Sequence, residues 1–189
     1  MNGIAVLMGI GNIGEKYVST RHNVGFMITH KFVLNGAMSK EKKFKHSQVW
    51  ECIFDNKTIA VCHPNTYVNN TGIAARELLD YYLIDEKEML VVVDDFNLLL
   101  GAMRFRGNGS DGGHNGLKSI IASTSNEFPR LRFGIGALPE NVSIVDFVLG
   151  KFTEEELRIV DEKTDVAAQA VECYLKEGIV AAMNKYNSK

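Results

Sequence analysis

The chain has 189 residues, 46% hydrophobic and 23% charged, and no linker or charge block divides it, so we predict one domain over residues 1–189. Its 21 basic and 23 acidic residues give a net charge of −2, which argues against a protein that coats nucleic acid indiscriminately. Three widely spaced cysteines exclude a disulfide framework, and no apolar segment is long enough to span a membrane, so we expect a cytoplasmic protein with buried thiols.

An apolar run over residues 4–10 predicts a first strand that is buried on both faces. It leads into Gly9-Ile-Gly-Asn-Ile-Gly14, which matches the dinucleotide-binding pattern G-x-G-x-x-G. That pattern needs a helix opening within the glycines and an acid about twenty residues later, whereas residues 16–40 contain no Asp or Glu. We therefore disfavour a nucleotide cofactor. Asn12 becomes a candidate site residue at the end of the strand, with turn formation as the alternative role.

The segment Thr20-Arg-His-Asn23 precedes an apolar-periodic run that predicts a helix with Asn23 as its N-cap. His22 would lie beside the positive end of that helix dipole, which favours a neutral imidazole at pH 7. A general base needs that neutral form, so His22 is a candidate base. The alternative is a histidine with a purely structural role in a loop, and only a charged or hydrogen-bonding partner would distinguish the two.

Residues 49–54 and 58–62, separated by Asp55-Asn-Lys57, predict a β-hairpin. Pro64 helps to end the second strand, and a helix follows Gly72. The residues that we predict to face inward from this helix are Ile73, Leu78, Leu79 and Tyr82.

Between the hairpin and that helix, Tyr67 and Val68 could form a small apolar wall, with Asn69 beside it as a hydrogen-bonding amide. The alternative is a capping loop in which Asn69 or Asn70 is the N-cap of the helix. Both interpretations stay open from the residues alone.

Residues 89–93, Met-Leu-Val-Val-Val, predict a second buried strand that ends in Asp94-Asp95. A carboxylate at the carboxyl end of a central strand is well placed to orient an imidazole. The alternative is that one of the two aspartates caps a turn. For Asp95 we predict that it caps a turn.

Residues 98–106 alternate and predict a further strand, with Arg104 and Arg106 on the same face. The glycine loop, residues 107–113, follows and leads through His114 and Asn115 into a helix. Arginines and free N–H groups at a helix N-terminus could hold a phosphate or a sugar edge. A mobile connector is the alternative.

Residues 130–136 predict another strand, which carries Arg130 and Arg132, and residues 144–149 form a short apolar segment. The tail predicts a helix from Thr153, with Thr153 and Glu156 as a capping box, that ends at Gly178 before a last short helix. Its predicted inward-facing residues are Leu157, Val160, Ala167, Val171 and Tyr174.

Together these motifs resemble the bacterial-type peptidyl-tRNA hydrolase family. The resemblance covers residues 4–151 almost without a gap, and its motifs occur in the family's order. They are Gly9-Ile-Gly-Asn-Ile-Gly14 with Tyr17; Thr20-Arg-His-Asn-Val-Gly-Phe26; Pro64-Asn-Thr-Tyr-Val-Asn69 with Gly72; Asp94-Asp95 through Gly101 and Arg104; and Gly112-Gly-His-Asn-Gly-Leu-Lys-Ser119 followed by Arg130-Leu-Arg132.

The resemblance implies a single α/β domain in which a twisted mixed β-sheet is flanked by helices. It implies hydrolysis of the ester that joins a peptide to the terminal ribose of tRNA, without metal or cofactor. The implied partner is a tRNA that carries a peptide. No obligatory protein partner is expected, and we expect a monomer.

The resemblance also assigns roles to single residues. It implies that His22 is catalytic and oriented by Asp94, and that Asn12 and Asn115 complete the catalytic set. The implied substrate-binding residues are Tyr17, Tyr67, Val68, Asn69 and His114, with Arg106 and Arg132 for tRNA phosphate. Val68 stands where methionine is usual in the family, which we expect to narrow the range of peptides accepted.

Two rival functions follow from the same residues. One is a relative that binds tRNA for RNA processing without turnover, which the intact His22, Asp94 and Asn12 disfavour. The other is an oxidoreductase with a nucleotide cofactor, for which the glycine pattern at residues 9–14 is the argument.

Overall fold

A seven-stranded mixed β-sheet organises the part of the chain that the computed structural model describes, residues 4–35 and 37–187. The strands are β1 (Ile4–Gly9), β2 (Ala37–Lys43), β3 (Ser47–Phe54), β4 (Lys57–Pro64), β5 (Met89–Asp95), β6 (Met103–Arg106) and β7 (Arg130–Gly134). Their order across the sheet is β2-β3-β4-β1-β5-β7-β6. Strands β4, β1, β5 and β7 are mutually parallel, while β2, β3 and β6 pair antiparallel with their neighbours.

Helices cover both faces of this sheet, so the predicted α/β fold with a mixed sheet flanked by helices is confirmed. The α-helices are α1 (Val24–Asn35), α2 (Thr71–Tyr82), α3 (Asn115–Ser123), α4 (Ile144–Leu149), α5 (Glu154–Glu177) and α6 (Ile179–Tyr186). Short 3-10 turns cover Glu15–Tyr17, Arg21–Asn23, Val68–Asn70 and Glu86–Glu88. None of the helices in the described ranges combines the length and the apolar composition that crossing a membrane requires.

Two cores follow from the alternation of side chains along the central strands. In β5, Leu90 and Val92 face the core beneath α1, α5 and α6, whereas Val91 and Val93 face the core beneath α2 and α3. By the same period of two, Asp94 continues the face that α1 covers. The predicted buried strands β1 and β5 are therefore confirmed, and the end of β5 points its first acid towards the turn that precedes α1.

The backbone at the start of α1 is in direct contact with the backbone of β5 and of the segment just after β1. A Cβ added to Gly25 would lie 2.5 Å from the carbonyl oxygen of Val92 and 2.6 Å from that of Ile10. Only glycine permits this approach, because real Cβ atoms do not come within 3 Å of other backbone atoms. The close packing brings the turn before α1, which carries His22, to the carboxyl end of β5.

Several predicted elements are confirmed with small changes of extent. The hairpin of β3 and β4 turns through Asp55 and Asn56, both with positive φ. The capping box of α5 is formed as predicted, and Gly178 ends that helix. All three cysteines are buried and unpaired, as expected.

The structure also differs from the sequence prediction in one added strand, one shortened strand and two side chains. Strand β2 was not predicted, because an edge strand rich in lysine lacks the apolar alternation of a buried one. The predicted strand over 98–106 shortens to β6, since the chain turns at Gly101, whose φ is 79°, and Gly101 N donates to Gly134 O. Ile73 and Leu157 were predicted to face inward but are 48% and 37% exposed.

Candidate functional site

A cleft of about 340 Å³ opens at the carboxyl ends of the parallel strands, where α3, α4 and the turn before α2 meet. Ligand sites of open α/β sheets lie at this edge. Ten of the eleven predicted site residues line the cleft: Asn12, Tyr17, His22, Tyr67, Val68, Asn69, Asp94, His114, Asn115 and Arg132. The exception is Arg106, which is exposed on β6.

His22 and Asp94 form a buried pair in this cleft. His22 Nδ1 lies 2.7 Å from Asp94 Oδ1, although the two residues are 72 positions apart in the chain. A carboxylate can only accept a hydrogen bond, so the imidazole proton is on Nδ1 and the lone pair of Nε2 is left for another partner. This is the arrangement in which an acid fixes the tautomer of a general base.

His114 contributes a second hydrogen bond to the same carboxylate oxygen. Its Nδ1 accepts from the backbone N–H of Gly116 at 3.1 Å and of Leu117 at 3.3 Å, which caps α3. The proton is therefore on Nε2, which donates to Asp94 Oδ1 at 3.0 Å. The prediction of free N–H groups at this helix N-terminus is thus partly wrong, because two of these groups donate to His114.

The charge states of the pair follow from this geometry. Burial acts to lower the pKa of His22, but the charge and hydrogen bond of Asp94 outweigh it and raise the pKa above its ordinary value. For Asp94, burial acts to raise the pKa, and His22 and His114 together hold it far below the usual range. The predicted lowering of the His22 pKa by the helix dipole is therefore wrong, because the contact with Asp94 outweighs it.

Asn12 is held by two neighbours. Its backbone N–H donates to Asn23 Oδ1 at 2.8 Å, and its carbonyl accepts from Asn23 Nδ2 at 2.9 Å. The prediction that Asn23 is the N-cap of α1 is therefore wrong. Asn23 is the last residue of a 3-10 turn, and its side chain is bonded to the backbone of Asn12, beyond the end of β1. Asn12 Oδ1 accepts from Val68 N at 3.4 Å, so the N–H groups of the amide remain as donors.

The capping alternative for the 67–70 turn gains no support, since the Asn70 side chain makes no capping bond to α2.

Within the described residues, the ligand atoms of His22, Asp94 and His114 lie within 4.8 Å of one another, close enough for a metal ion. Both imidazole nitrogens that face Asp94 carry a proton in the arrangement above. His114 would have to become an imidazolate to bind a metal while still accepting from Gly116 and Leu117. We therefore interpret the three groups as a hydrogen-bonded relay.

Comparison with known proteins identifies the family. The family model described as peptidyl-tRNA hydrolase matches residues 6–189. This chain belongs to the peptidyl-tRNA hydrolase family. A peptidyl-tRNA hydrolase of Lachnospira eligens is 40% identical over 183 residues, which cover 96% of this chain and 98% of that protein. One from a Thermotoga species is 43% identical over 185 residues, with 97% of each chain covered.

The fold agrees with the sequence comparison. The crystal structure of peptidyl-tRNA hydrolase from Acinetobacter baumannii superposes with a TM-score of 0.90 at 28% identity, covering 99% of this chain and 97% of that one. The resemblance drawn from the five motifs is therefore confirmed. The rival nucleotide-cofactor interpretation loses its structural condition, because α1 begins only at Val24, ten residues after the last glycine of the pattern at Gly14.

Helix α4 is a part of the cleft that the sequence analysis missed. This short helix forms an apolar wall of the cleft with Ile144, Val145, Val148 and Leu149. The available signal was the short apolar segment at residues 144–149, which the sequence analysis noted without assigning it to the site. A wall of half-exposed aliphatic side chains suits an apolar part of a peptidyl-tRNA hydrolase substrate.

Arg21 connects that wall to the turn that carries His22. Its backbone N–H donates to Gly150 O, and its guanidinium donates to Lys151 O at 2.6 Å and to both oxygens of Glu156 at 2.7 and 2.9 Å. The guanidinium also lies 4.7 Å from the ring centre of Phe147 in α4. Arg21 therefore contacts both α4, through the Phe147 ring, and α5, through a partly buried ion pair in which one nitrogen reaches both carboxylate oxygens.

The two arginines predicted to bind phosphate differ in their surroundings. Arg132 Nε lies 2.9 Å from Asp95 Oδ2 at the cleft, so Asp95 fixes the orientation of that guanidinium. Asp95 also accepts from the backbone N–H of Asn97 at 2.9 Å, which confirms its predicted turn-capping role. Arg106 is exposed on the edge strand β6.

Proposed function

We propose that this protein hydrolyses the ester between the peptide and the tRNA of peptidyl-tRNA. Membership of the family supports the reaction, since its relatives are named for it. The observation that carries the proposal is the 2.7 Å contact between His22 Nδ1 and the ionised Asp94, which leaves Nε2 as a base in an open cleft. An ester has a good enough leaving group that a water activated by one base suffices.

In the proposed mechanism, His22 Nε2 takes a proton from a water whose oxygen attacks the ester carbonyl carbon. Asp94 stabilises the imidazolium that forms. The tetrahedral intermediate then breaks its bond to the ribose oxygen, and the imidazolium returns the proton to that oxygen. The products are a peptide with a free carboxyl group and a tRNA with a free hydroxyl group.

The negative charge on the carbonyl oxygen needs donors that are already in place. Asn12 is the first candidate, because its side-chain carbonyl is bonded to Val68 N and its N–H groups remain as donors. Asn115, exposed at the start of α3 and lining the cleft, is the second. Each such donor contributes about 10²–10³ in kcat.

For the peptide we propose recognition that tolerates many side chains. Asn69 supplies an amide for main-chain groups, while Tyr67, Val68 and the α4 wall supply apolar surface. Tyr17 and His114 line the same cleft and complete the proposed contacts. Because Val68 lacks the flexible thioether of methionine, this chain should accept a narrower range of peptides than relatives with methionine there.

For tRNA we predict that Arg106→Ala and Arg132→Ala each weaken binding and flatten its salt dependence. One phosphate contact contributes roughly 0.7–0.9 to the slope of log K against log salt, so each variant should lose about that much. The measurement is tRNA binding by filter retention over a salt series. Arg158→Ala, which removes an exposed arginine of α5, is the control with an unaltered slope. An unchanged slope in the Arg106 or Arg132 variant would remove that residue from the phosphate-binding set.

The proposed function is tested by release of the N-acetyl-amino acid from N-acetyl-aminoacyl-tRNA. We expect steady turnover by the wild type, in which free tRNA and the N-acetyl-amino acid form in equal amounts. The rival proposal is an RNA-binding relative without turnover, and it predicts tRNA binding with no release. Binding without release by the wild type would therefore reject the enzyme.

We also propose that the protein acts as a monomer in the cytoplasm, without an obligatory protein partner. In support, the proposed catalytic residues His22, Asp94, Asn12 and Asn115 all line one cleft of this chain.

A further inference from the structure

Arg130, at the start of β7, is an arginine buried to 2% exposure among backbone carbonyls. Its Nη1 donates to Gly109 O at 2.8 Å and Ser110 O at 3.1 Å, and its Nη2 donates to Asn126 O at 3.0 Å and Phe128 O at 3.1 Å. The guanidinium carbon lies 4.2 Å from the centre of the Phe128 ring. Over the described ranges, no carboxylate lies within ion-pair distance of this side chain. The cation is therefore held by peptide dipoles and a ring face alone.

Burying a cation without an anion costs desolvation free energy, which raises the question of what the contacts of Arg130 do in the fold. Burial lowers the pKa of the Arg130 guanidinium, and the nearby Arg132 lowers it further. In return, the planar fork joins two separate segments, the glycine loop at 109–110 and the α3–β7 connection at 126–128. Few other side chains could join four carbonyls at once, since arginine carries five donors in a fixed plane.

The glycine loop runs from this anchor directly into the relay. Gly109, Gly112 and Gly113 all have positive φ, so the loop takes a path that other residues rarely adopt. Asp111 follows the anchored Ser110; its side chain accepts from Gly113 N at 2.7 Å, and its carbonyl accepts from His114 N at 3.0 Å. The next contact is His114 Nε2 to Asp94. Hydrogen bonds and the backbone step from Ser110 to Asp111 thus connect Arg130 to the carboxylate that holds His22.

We propose that Arg130 is a positioning residue of the hydrolase, which fixes the glycine loop so that His114 keeps its hydrogen bond to Asp94. The inference rests on the proposed function. Without the guanidinium, the carbonyls of Gly109 and Ser110 can turn to water, because that part of the loop is partly exposed. The loop then moves, and His114 leaves Asp94.

The consequence for His22 has a definite sign. Asp94 Oδ1 is shared between His22 and His114. When His114 leaves, the full charge of Asp94 acts on His22, and His22 binds its proton more tightly. The acid limb of the pH profile, in which kcat/KM falls as His22 becomes protonated, therefore moves to higher pH. The other charged groups at the cleft are Asp95, Asp111 and Arg132, and Asp95 is paired with Arg132.

The experiment compares Arg130→Met, Arg130→Lys and His114→Ala in hydrolysis of N-acetyl-aminoacyl-tRNA across pH. We expect Arg130→Met to lower kcat by up to about 100-fold, the effect of displacing a site by about 1 Å. Its acid limb should move to higher pH, as in His114→Ala. Arg130→Lys should give a smaller shift, because one ammonium can keep donors on one segment. The double variant Arg130→Met/His114→Ala should have the acid limb of His114→Ala alone.

Arg76→Met is the matched control. Arg76 also donates two hydrogen bonds to a backbone carbonyl, that of Ser123 at the other end of α3, and should keep the wild-type acid limb. The inference is overturned if Arg130→Met loses activity only in proportion to its unfolded fraction and keeps the wild-type acid limb. If Arg130→Met has no cooperative thermal transition, the acid limb of Arg130→Lys decides in the same way. A wild type without turnover would reject the proposed function instead, so the two failures are distinguishable.

Discussion

His22→Ala is expected to lower kcat for N-acetyl-aminoacyl-tRNA by about 10²–10⁴, the contribution of a general base. The side chain removed is the one whose Nδ1 is bonded to Asp94 and whose Nε2 is left for the water. Binding of tRNA should be unchanged, because the basic residues Arg106 and Arg132 are untouched. The measurement is single-turnover release at saturating enzyme, with tRNA affinity determined separately.

His30→Ala is the matched control for this variant. His30 is an exposed histidine of α1, so its loss removes an imidazole from the same helix region without reaching the cleft. It should leave the rate of release at the wild-type value. If His22→Ala releases the peptide as fast as the wild type, His22 is not the base.

The position of the relay residues could be predicted because parallel strands present their carboxyl ends at one edge of a sheet. Asp94 was identifiable as the acid that ends a buried apolar run, and Asn12 as the residue just beyond β1. The buried strands themselves were recognisable from continuous apolar runs. What these residues share is that a local pattern determines both the element and its end.

The charge state of His22 could not be predicted in the same way. The dipole of a helix just after His22 is a local signal, and it indicates a lowered pKa. The larger influence, Asp94, is 72 positions away and bonded through one oxygen. Likewise, the pattern around His114 is compatible with a mobile loop. Its bond to Asp94 depends on the packing of α3 against the sheet.

The α4 wall and the Arg130 anchor escaped prediction for a related reason. Both use residues whose local pattern has an ordinary meaning, an apolar segment and an arginine in a strand. Their roles come from long-range contacts: Arg21, in the turn of His22, lies over the ring of Phe147 in α4, and Arg130 reaches back twenty residues to the glycine loop. A period or a motif carries no information about such contacts.

Asp94→Asn is expected to have the largest effect, a loss of about 10⁴ in kcat, as when the acid of a catalytic triad becomes an amide. The introduced amide can donate an N–H to His22 Nδ1, which then accepts instead of donating. The imidazole proton is then on Nε2, and that nitrogen can no longer act as the base. The side-chain volume is nearly unchanged, so the fold should be kept. Measurement is by single-turnover release, with the thermal transition as a check on folding.

The residual activity of Asp94→Asn should also have a shifted pH profile. In the wild type, His22 is protonated and inactive below its raised pKa, so kcat/KM falls as the pH decreases through a value above the ordinary pKa of histidine. Removing the carboxylate leaves burial, which lowers the pKa of His22, so the acid limb should move to lower pH. Asp95→Asn is the neighbouring comparison: it frees Arg132 and should alter tRNA affinity while the acid limb stays in place. An acid limb at the wild-type pH in Asp94→Asn would mean that another group than the His22–Asp94 pair controls the reaction.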